Sequence, residues 1–288
     1  MTLNNDLSRY SAPLTEDIYC LVNEDSFELS EDAQKQFCDK GYIVGPGRIS
    51  QKTLSELLAD LDQLMRPDHP GNDLWHEYHT NESTNPETIL FHALGAWRIK
   101  PSFHDLLWHP AITIPARQLL SSPVRFWHDQ LFCKPALHGG VVAWHQDYSY
   151  WTRTSPMQHL TCWVALEDAT VDNGCLHYIP GSHKWDLLPA TGLGGDMASI
   201  KRVLNRKQWE TFQSPEAVEL KAGQVVFHHP LAIHGSFENR TSQSRKAAVV
   251  NMIGDTVTSD TNEPLLKGIP VIPIGNLLRG NFFPLLRV

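Results

Sequence analysis

The stretch VVAWHQDYSYW, residues 141–151, places a histidine and an aspartate two positions apart inside a run of aromatic and β-branched residues. Such a composition favours a β-strand. Side chains at positions i and i+2 of a strand project from the same face, so His145 and Asp147 can converge on one point. If that face lines the inside of a barrel or sandwich, the buried imidazole and carboxylate need polar partners, which a divalent metal ion would supply. We therefore expect a metal site here, with a third ligand on another strand.

The stretch AGQVVFHHPLAIHGSFENR, residues 222–240, offers that third ligand. His234 lies on a short apolar run, and Arg245 follows eleven residues later at the start of the next β-rich run. Two histidines and one carboxylate form a facial triad that suits iron(II) and leaves open positions beside the metal. An arginine nearby can bind a carboxylate through two parallel hydrogen bonds. His228 and His229 remain rival ligands, although the proline that follows them indicates a turn.

Secondary-structure signals divide the chain into a helical first third and a β-rich remainder. Ser30 and Gly41 have the positions of an N-cap and of a helix-ending glycine, and five leucines recur at helical spacing after Ser50. A further helix is expected to start at Pro110, and Pro115 can kink it or move its start. Short apolar runs separated by turn residues then predict a β-sandwich or barrel. These runs are VRFWHDQLFC, VVAWHQDYSYW, HLTCWVAL, CLHYIP, AVEL, QVVFHHP, IHGSF and KAAVVNMIG.

We predict a single domain over residues 1–288. Within it, residues 1–122 form a mostly helical N-terminal support and lid, residues 123–255 the β-rich core and residues 256–288 a C-terminal extension. Periodicity is lost over residues 66–97, where Pro, Gly, Asn and His accumulate. Long stretches of this kind are commonly functional lids or disordered segments, so a lid is the expectation here.

Composition and charge limit the partners that this protein can have. The formal net charge is -8 at pH 7, which leaves no broad basic surface for phosphates, so we expect neither nucleic acid nor an anionic membrane as a partner. The sequence shows no secretion signal and no apolar run long enough to span a bilayer. Its five scattered cysteines lack a CxxC pair, which is typical of free thiols in a reducing compartment. These features predict a cytoplasmic protein.

Three motifs and one arginine occur in an order that resembles a known family. The chain carries HQD at residues 145–147, NGCLHYIPGSH at residues 173–183 and FHHPLAIHGSFENRT at residues 227–241, and Arg245 follows. This order is similar to that of the phytanoyl-CoA dioxygenase-like members of the iron(II)/2-oxoglutarate-dependent oxygenases. The resemblance covers roughly residues 124–253 and implies a mainly β fold with flanking helices, the double-stranded β-helix or cupin-like jelly roll. That fold agrees with the strands expected above.

The resemblance implies three iron ligands and four contacts to the co-substrate 2-oxoglutarate. The implied iron ligands are His145, Asp147 and His234. The implied co-substrate contacts are Arg245 and Ser236, which hold the far carboxylate, together with Gln130 and Trp163. The implied chemistry consumes O2 and 2-oxoglutarate and hydroxylates a substrate, with succinate and CO2 as co-products. Related halogenases carry a small residue where Asp147 stands, so hydroxylation or oxidative dealkylation is expected instead of halogenation.

Six further residues are candidate substrate contacts, with ordinary packing as the alternative for each. They are Tyr148, Tyr150, Trp151, Arg153, Trp75 and Tyr78. His177 and His183 flank the IPGSH turn and are expected to serve structure or to support the metal ligands, and Asn173 with Gly174 is expected to form a tight turn.

The substrate itself does not follow from the family. A small molecule of specialised metabolism is the expectation. A cupin-type metalloenzyme such as an isomerase, which does not use 2-oxoglutarate, is the alternative, and it would not need Arg245 beside Ser236. A binding module that has lost catalysis is a third class, but such proteins usually lack one of the ligands.

Overall fold

The computed structural model describes residues 6–15 and 24–286. The first third carries helix α1 (Glu31–Lys40), strand β1 (Tyr42–Arg48) and helix α2 (Gln51–Leu64). Ser30 Oγ accepts a hydrogen bond from the backbone N–H of Ala33 at 3.2 Å, and Gly41 has a φ of 87°, so α1 begins and ends as predicted.

The remaining helices are short. They are α3 (Pro101–Leu106), α4 (Pro110–Leu120) and α5 (Arg206–Phe212). α4 starts at the predicted proline and continues past Pro115. Single-turn 3-10 helices lie at Leu7–Arg9, Glu24–Phe27, Asn72–Leu74, Ala96–Arg98, Asp147–Tyr150, Ser182–Lys184 and Ser199–Arg202.

The strands after β1 are mostly short. They are β2 (Glu77–His79), β3 (Phe91–Leu94), β4 (Val124–Lys134), β5 (Val142–His145), β6 (Thr154–Ser155), β7 (His159–Ala165), β8 (Leu176–Tyr178), β9 (Glu216–Val218), β10 (Gln224–His228), β11 (His234–Ser236), β12 (Arg245–Gly254) and β13 (Thr258–Ser259). Among the described residues they form a seven-stranded sheet in the order β1-β10-β7-β12-β4-β3-β2, a four-stranded sheet in the order β5-β11-β8-β9 and the pair β13-β6. The two larger sheets enclose a central cavity, and this jelly roll confirms the predicted fold class.

Alternation along the strands separates two cores. On β12, Ala248 and Val250 lie in the core that the large sheet shares with the helices, whereas Ala247 and Val249 lie in the core between the two sheets. Successive side chains of a strand point to opposite faces, so every second residue of β12, β7 and β10 faces the inside. This alternation decides which side chains reach the cavity.

Two segments contain structure that the sequence patterns did not indicate. Residues 66–97 are not a loose loop throughout, because they contain β2 and β3, and Trp75 is only 3% exposed in the helix-side core. The strands there are too short to show a clear alternation in sequence. The C-terminal segment, residues 256–286, packs an apolar cluster around Trp127 and Trp151 and so completes the side of the jelly roll.

The described cysteines are free thiols, as predicted: Cys38 is exposed, and Cys133, Cys162 and Cys175 are buried. Cys20 lies outside the described residues. No helix in the described part of the chain is long and apolar enough to cross a bilayer.

Candidate active site

Two neighbouring strands of the smaller sheet bring the predicted metal ligands together. β5 and β11 are antiparallel, and His145 lies opposite His234 in their register. Asp147 is not on the strand as expected but opens the 3-10 turn Asp147–Tyr150. Gln146 between them keeps an extended backbone with φ -111° and ψ 130°, so the i, i+2 relationship of His145 and Asp147 survives.

The three side chains converge closely. Their ligand atoms all lie within 4.8 Å of one another, and Asp147 Oδ1 is 3.3 Å from His145 Nε2 and 3.7 Å from His234 Nε2. His145 Nδ1 donates to the carbonyl of Ala143 at 2.7 Å, and His234 Nδ1 donates to that of Ala232 at 3.0 Å. These bonds leave the Nε2 lone pairs for a metal, because a ligating histidine typically uses its other N–H in this way. The donor set fits an iron(II) ion.

The charges of the triad suit metal binding. Burial, reinforced by the neighbouring rings of His145 and His228, holds the pKa of His234 well below its usual range, so its ring is neutral. Burial opposes ionisation of Asp147, but the contacts with His234, His145 and His228 outweigh it and hold the pKa of that carboxyl well below its usual range. Neutral imidazole and ionised carboxylate are the forms that bind metals.

His228, which the sequence left as a rival ligand, lies outside the group of three and contacts Asp147 instead. It ends β10 on the inward face, and its Nε2 lies 2.9 Å from Asp147 Oδ2. Thr161 Oγ1 lies 2.6 Å from the same oxygen, and the Tyr178 hydroxyl lies 2.9 Å from His228 Nδ1. The expected turn begins one residue later, at His229, whose Nδ1 accepts the N–H two residues ahead. The alternation of side chains along β10 could have distinguished His228 from His229, since Val226 and His228 share the inward face.

Arg245, the arginine predicted to bind the co-substrate, is buried, and some of its N–H groups have no hydrogen-bond partner among the described residues. Arg245 is 1% exposed, and its guanidinium carbon lies 5.4 Å from the centre of the Trp163 ring. Among the described residues, Arg245 Nε and Nη1 and Ser236 Oγ have no hydrogen-bond partner, and Arg245 forms no ion pair. Burial lowers the pKa of Arg245 to about 10, which leaves it cationic at neutral pH. Buried donors of this kind call for an acceptor, and a carboxylate fits an arginine and a hydroxyl.

One cavity joins these parts. Its volume is about 170 Å³, whereas one buried water needs about 10–15 Å³, so it accommodates small organic molecules. It is lined by the triad, by Arg245 and Ser236, and by Gln130 and Trp163, which brings together the residues predicted for metal and co-substrate.

The candidate substrate contacts divide into two groups. Tyr150, Trp151 and Arg153 line the cavity. Tyr148, Trp75 and Tyr78 are not among its described lining residues, and their assignment as substrate contacts stays a prediction. Tyr148 donates its hydroxyl to the carbonyl of Thr154 at 2.5 Å, and Trp75 and Tyr78 pack together with a ring separation of 5.3 Å in and against the helix-side core.

Several lining residues were not predicted from the sequence. They are Glu77, His92, Leu94, Trp127, His128, Leu193, Leu265 and Leu266. Arg153 connects part of this wall, because its guanidinium donates to the carbonyls of Pro264 at 3.0 Å and Leu265 at 2.7 Å. The C-terminal segment therefore forms one side of the cavity, and no local motif in LLKGIP indicates that.

The IPGSH region has the structural role that was expected. His177 Nδ1 lies 3.2 Å from the carbonyl of Cys175, and His183 Nε2 lies 3.1 Å from that of Cys38. Asn173 Oδ1 accepts the Thr170 N–H at 2.7 Å, and the following Gly174 has a φ of 87°, as a tight turn requires.

A jelly roll that places two buried histidines and the partly buried Asp147 beside an unpaired arginine is typical of metal-dependent enzymes. Comparison with known protein families identifies which family within this class the chain belongs to. The family described as Phytanoyl-CoA dioxygenase (PhyH) matches residues 37–247, well over half of the chain. The chain belongs to this family.

Individual relatives show how far the likeness extends. The phytanoyl-CoA dioxygenase of Arabidopsis thaliana is 33% identical over 172 residues, which cover 56% of this chain and 55% of the relative. The L-proline trans-4-hydroxylase of Streptomyces griseoviridis is 26% identical over 84% of this chain and 95% of its own length. The crystal structure of SnoK, a non-heme alpha-ketoglutarate-dependent carbocyclase from nogalamycin biosynthesis, has a TM-score of 0.71 at 22% identity over 90% of this chain and 97% of that one. At that identity the likeness to SnoK shows the fold alone.

Proposed function

We propose that the protein is an iron(II)/2-oxoglutarate-dependent dioxygenase. It hydroxylates or oxidatively dealkylates a small-molecule substrate of specialised metabolism in the cytoplasm. The observation that carries this proposal is that Arg245 and Ser236 have polar atoms without hydrogen-bond partners among the described residues. These two side chains line the same cavity as the group formed by His145, Asp147 and His234. A metal centre alone does not require a buried cation beside it.

When bound, iron(II) and 2-oxoglutarate supply the oxidising chemistry, in which one atom of O2 enters a substrate C–H bond and the other enters succinate as CO2 leaves. The chain provides the geometry for this reaction. His145 and His234 offer Nε2 and Asp147 offers Oδ1 to the metal. Arg245 and Ser236 bind the far carboxylate of the co-substrate, with Trp163 packed against the guanidinium.

The wall on the substrate side excludes water and orients the substrate. It is mostly aromatic and aliphatic, with Trp127, Trp151 and Leu265 among its members. Such a wall suits a compact organic molecule that presents a C–H bond to the metal. The named chemistries of L-proline trans-4-hydroxylase and of the carbocyclase SnoK differ, so the shared fold leaves the substrate to be found by experiment.

The alternative is a cupin-type isomerase that holds a metal with the same three ligands. The buried charge of Arg245 argues against it, because an unpaired guanidinium costs free energy unless a ligand anion compensates it. In the proposed enzyme, Asp147 binds the metal, so the carboxylate that compensates Arg245 comes from the co-substrate.

The test is an anaerobic titration. Iron(II) is added to the protein first, then 2-oxoglutarate, and the weak visible charge-transfer band of the chelate is recorded. The band should appear only when both are present, and admission of O2 should then yield succinate. Folded protein that binds iron(II) but never develops the band would exclude 2-oxoglutarate as co-substrate and favour the isomerase.

A further inference from the structure

One polar side chain on the cavity wall has no part in the metal site or in the arginine site. His92 lines the cavity and is 2% exposed, and its Nε2 has no hydrogen-bond partner among the described residues. A buried polar atom without a partner costs free energy until a ligand or an ordered water supplies the missing bond. This nitrogen therefore indicates where a polar group of a ligand would lie.

The alternation of side chains along β3 directs His92 toward the cavity. Phe91 and Ala93 lie in the helix-side core, so His92 and Leu94 occupy the opposite face, and both of them line the cavity. On the neighbouring strand β2, Glu77 pairs with Leu94 and also lines the cavity. The edge of the seven-stranded sheet thus contributes a short row of side chains to the wall.

The ring of His92 is fixed by its neighbours. It stacks on Phe132 of β4, with centres 4.4 Å apart and planes 10° apart, and on His79 of β2, with centres 6.0 Å apart and planes 12° apart. Burial opposes ionisation of Glu82, but the contact with His92 outweighs it and lowers the pKa of that carboxyl. The ionised carboxylate accepts a hydrogen bond from His92 Nδ1. Nε2 is the ring nitrogen left for a ligand.

His92 lies apart from the residues predicted to bind 2-oxoglutarate. Arg245 is on β12, and β4 lies between β12 and β3, so two strand spacings, about 10 Å, separate their strands. The carboxylates of Glu82 and Glu77 would also repel an anion placed at His92. His92 is therefore available to a second molecule in the cavity, which is the substrate.

The surroundings of His92 select an uncharged hydroxyl group. A hydroxyl both donates and accepts, so it satisfies Nε2 whether or not that nitrogen carries a proton. Leu94, Phe132 and Leu193 line the same cavity, and an ammonium group would lose hydration that these apolar side chains do not replace. The two nearby glutamates disfavour a carboxylate.

We propose that His92 Nε2 binds a hydroxyl group of the substrate and so determines which molecules are oriented at the metal. This inference deepens the proposed function and rests on it for the oxidation that follows binding. The hydroxyl contact itself requires only the folded cavity. A site that hydrogen-bonds a hydroxyl rejects the analogue that lacks it, because its own buried polar atom is then left unpaired.

The experiment compares three five-membered rings of similar size: cyclopentanol, cyclopentane and cyclopentylamine, which is protonated at neutral pH. The protein is loaded with zinc(II), and NMR titration gives the affinity for each ring. The ratio of the cyclopentanol affinity to the cyclopentane affinity should be roughly 2–12-fold lower in His92→Phe than in the wild type, as expected for loss of one hydrogen bond. The phenyl ring can keep the stack on Phe132, so the variant removes mainly the two nitrogens.

His79→Phe is the matched control. His79 stacks on His92, but its side chain is 44% exposed and it is not among the described lining residues. This variant should keep the wild-type ratio. If His92→Phe instead lowers the affinity for cyclopentylamine and leaves that for cyclopentanol unchanged, the site takes a cation and the hydroxyl assignment is wrong.

A second readout needs no variant. In wild-type protein labelled with ¹⁵N-histidine, bound cyclopentanol should shift the Nε2 resonance of His92, and bound cyclopentane should shift it less. The proposal is overturned if that resonance responds equally to the two rings, or if folded His92→Phe keeps the wild-type affinity ratio.

Titration with 2-oxoglutarate distinguishes a substrate contact from a co-substrate contact. With iron(II) under argon, His92→Phe should bind 2-oxoglutarate as tightly as His79→Phe does. A weaker chelate in His92→Phe, together with an unchanged ratio for the two rings, would assign Nε2 to the co-substrate and end the proposal. A missing chelate band in the wild type removes the oxygenase assignment instead, and the zinc(II) titrations still decide the hydroxyl contact.

Discussion

The cavity has a metal side, formed by His145, Asp147 and His234, and an arginine side, formed by Arg245 and Ser236. The two sides differ in whether their polar atoms already have partners within the protein. On the metal side, His145 Nδ1, His234 Nδ1 and Asp147 Oδ2 each have a protein partner within 3.0 Å. On the arginine side, Ser236 Oγ and two nitrogens of Arg245 have none within the described ranges. The chain thus orients the metal ligands before a metal binds, while the arginine pocket is complete only when an anion fills it.

The difference teaches where ligand specificity resides. Pre-oriented ligands determine the geometry of the metal site, but the same three side chains serve several reactions. An unpaired buried guanidinium selects for an anionic ligand such as a carboxylate, because a neutral occupant leaves the charge uncompensated. The arginine side is therefore the part of the cavity that distinguishes a 2-oxoglutarate enzyme from other metal-binding jelly rolls.

The largest effect should come from the metal side, in Asp147→Ala. Removal of a ligand should exceed the roughly 10–100-fold loss in metal affinity that follows removal of a supporting group, so iron(II) binding and succinate formation should both be abolished. Calorimetric metal titration and a succinate assay measure this. Asp172→Ala, at an exposed site, is the control and should match the wild type. Undiminished succinate formation in Asp147→Ala would show that the carboxylate is not a ligand.

On the arginine side, Arg245→Gln should weaken 2-oxoglutarate binding and spare the metal. Hydrogen bonds to charged groups contribute about 1.5–3 kcal/mol, which corresponds to roughly 10–150-fold in affinity. The chelate band, titrated with 2-oxoglutarate, gives the affinity, and calorimetry gives that for iron(II). Arg240→Gln is the matched control, since the side chain of Arg240 is 78% exposed. If Arg245→Gln mainly loses affinity for iron(II), Arg245 supports the metal site and is not the co-substrate ligand.

The smallest effect should come from Ser236→Ala. A hydrogen bond between neutral groups contributes about 0.5–1.5 kcal/mol net, so the bond to a carboxylate should cost at least the corresponding 2–12-fold in 2-oxoglutarate affinity. Ser199→Ala is the matched control, because Ser199 Oγ also lacks a partner among the described residues and does not line the cavity. Equal affinities for the two variants would mean that Ser236 does not contact the co-substrate.

Local chemistry in the sequence predicted much of the fold. Ser30 and Gly41 marked the ends of α1 because capping depends on a few adjacent residues. The short β-rich runs after residue 122 predicted a sandwich or barrel, which the two sheets confirm. The strands in residues 66–97 were missed because β2 and β3 have only three and four residues, too few for alternation to stand out.

The sequence predicted which candidate ligands lie together, and it did not predict most of the wall around them. His145, Asp147, His234 and Arg245 stand at motif spacings, and the structure brings all four to one cavity. The roles of Gln130 and Trp163 as co-substrate contacts stay predictions. Tyr148 was assigned to the cavity from its place beside the metal pair, but a 3-10 turn follows Asp147, and the strand period does not continue through it.

The sequence by itself therefore determined the helix ends, the β-rich class and the candidate metal and carboxylate ligands, because each depends on residue type and short spacing. Only the tertiary structure decided that His228 contacts both Asp147 and Tyr178, that Arg153 binds the C-terminal segment at the cavity wall, and that Trp75 and Tyr78 pack in and against the core. The physical reason is that these contacts join strands and turns distant in sequence. Their formation depends on strand register and on which face of each strand points inward, and both are fixed only when the two sheets pack together.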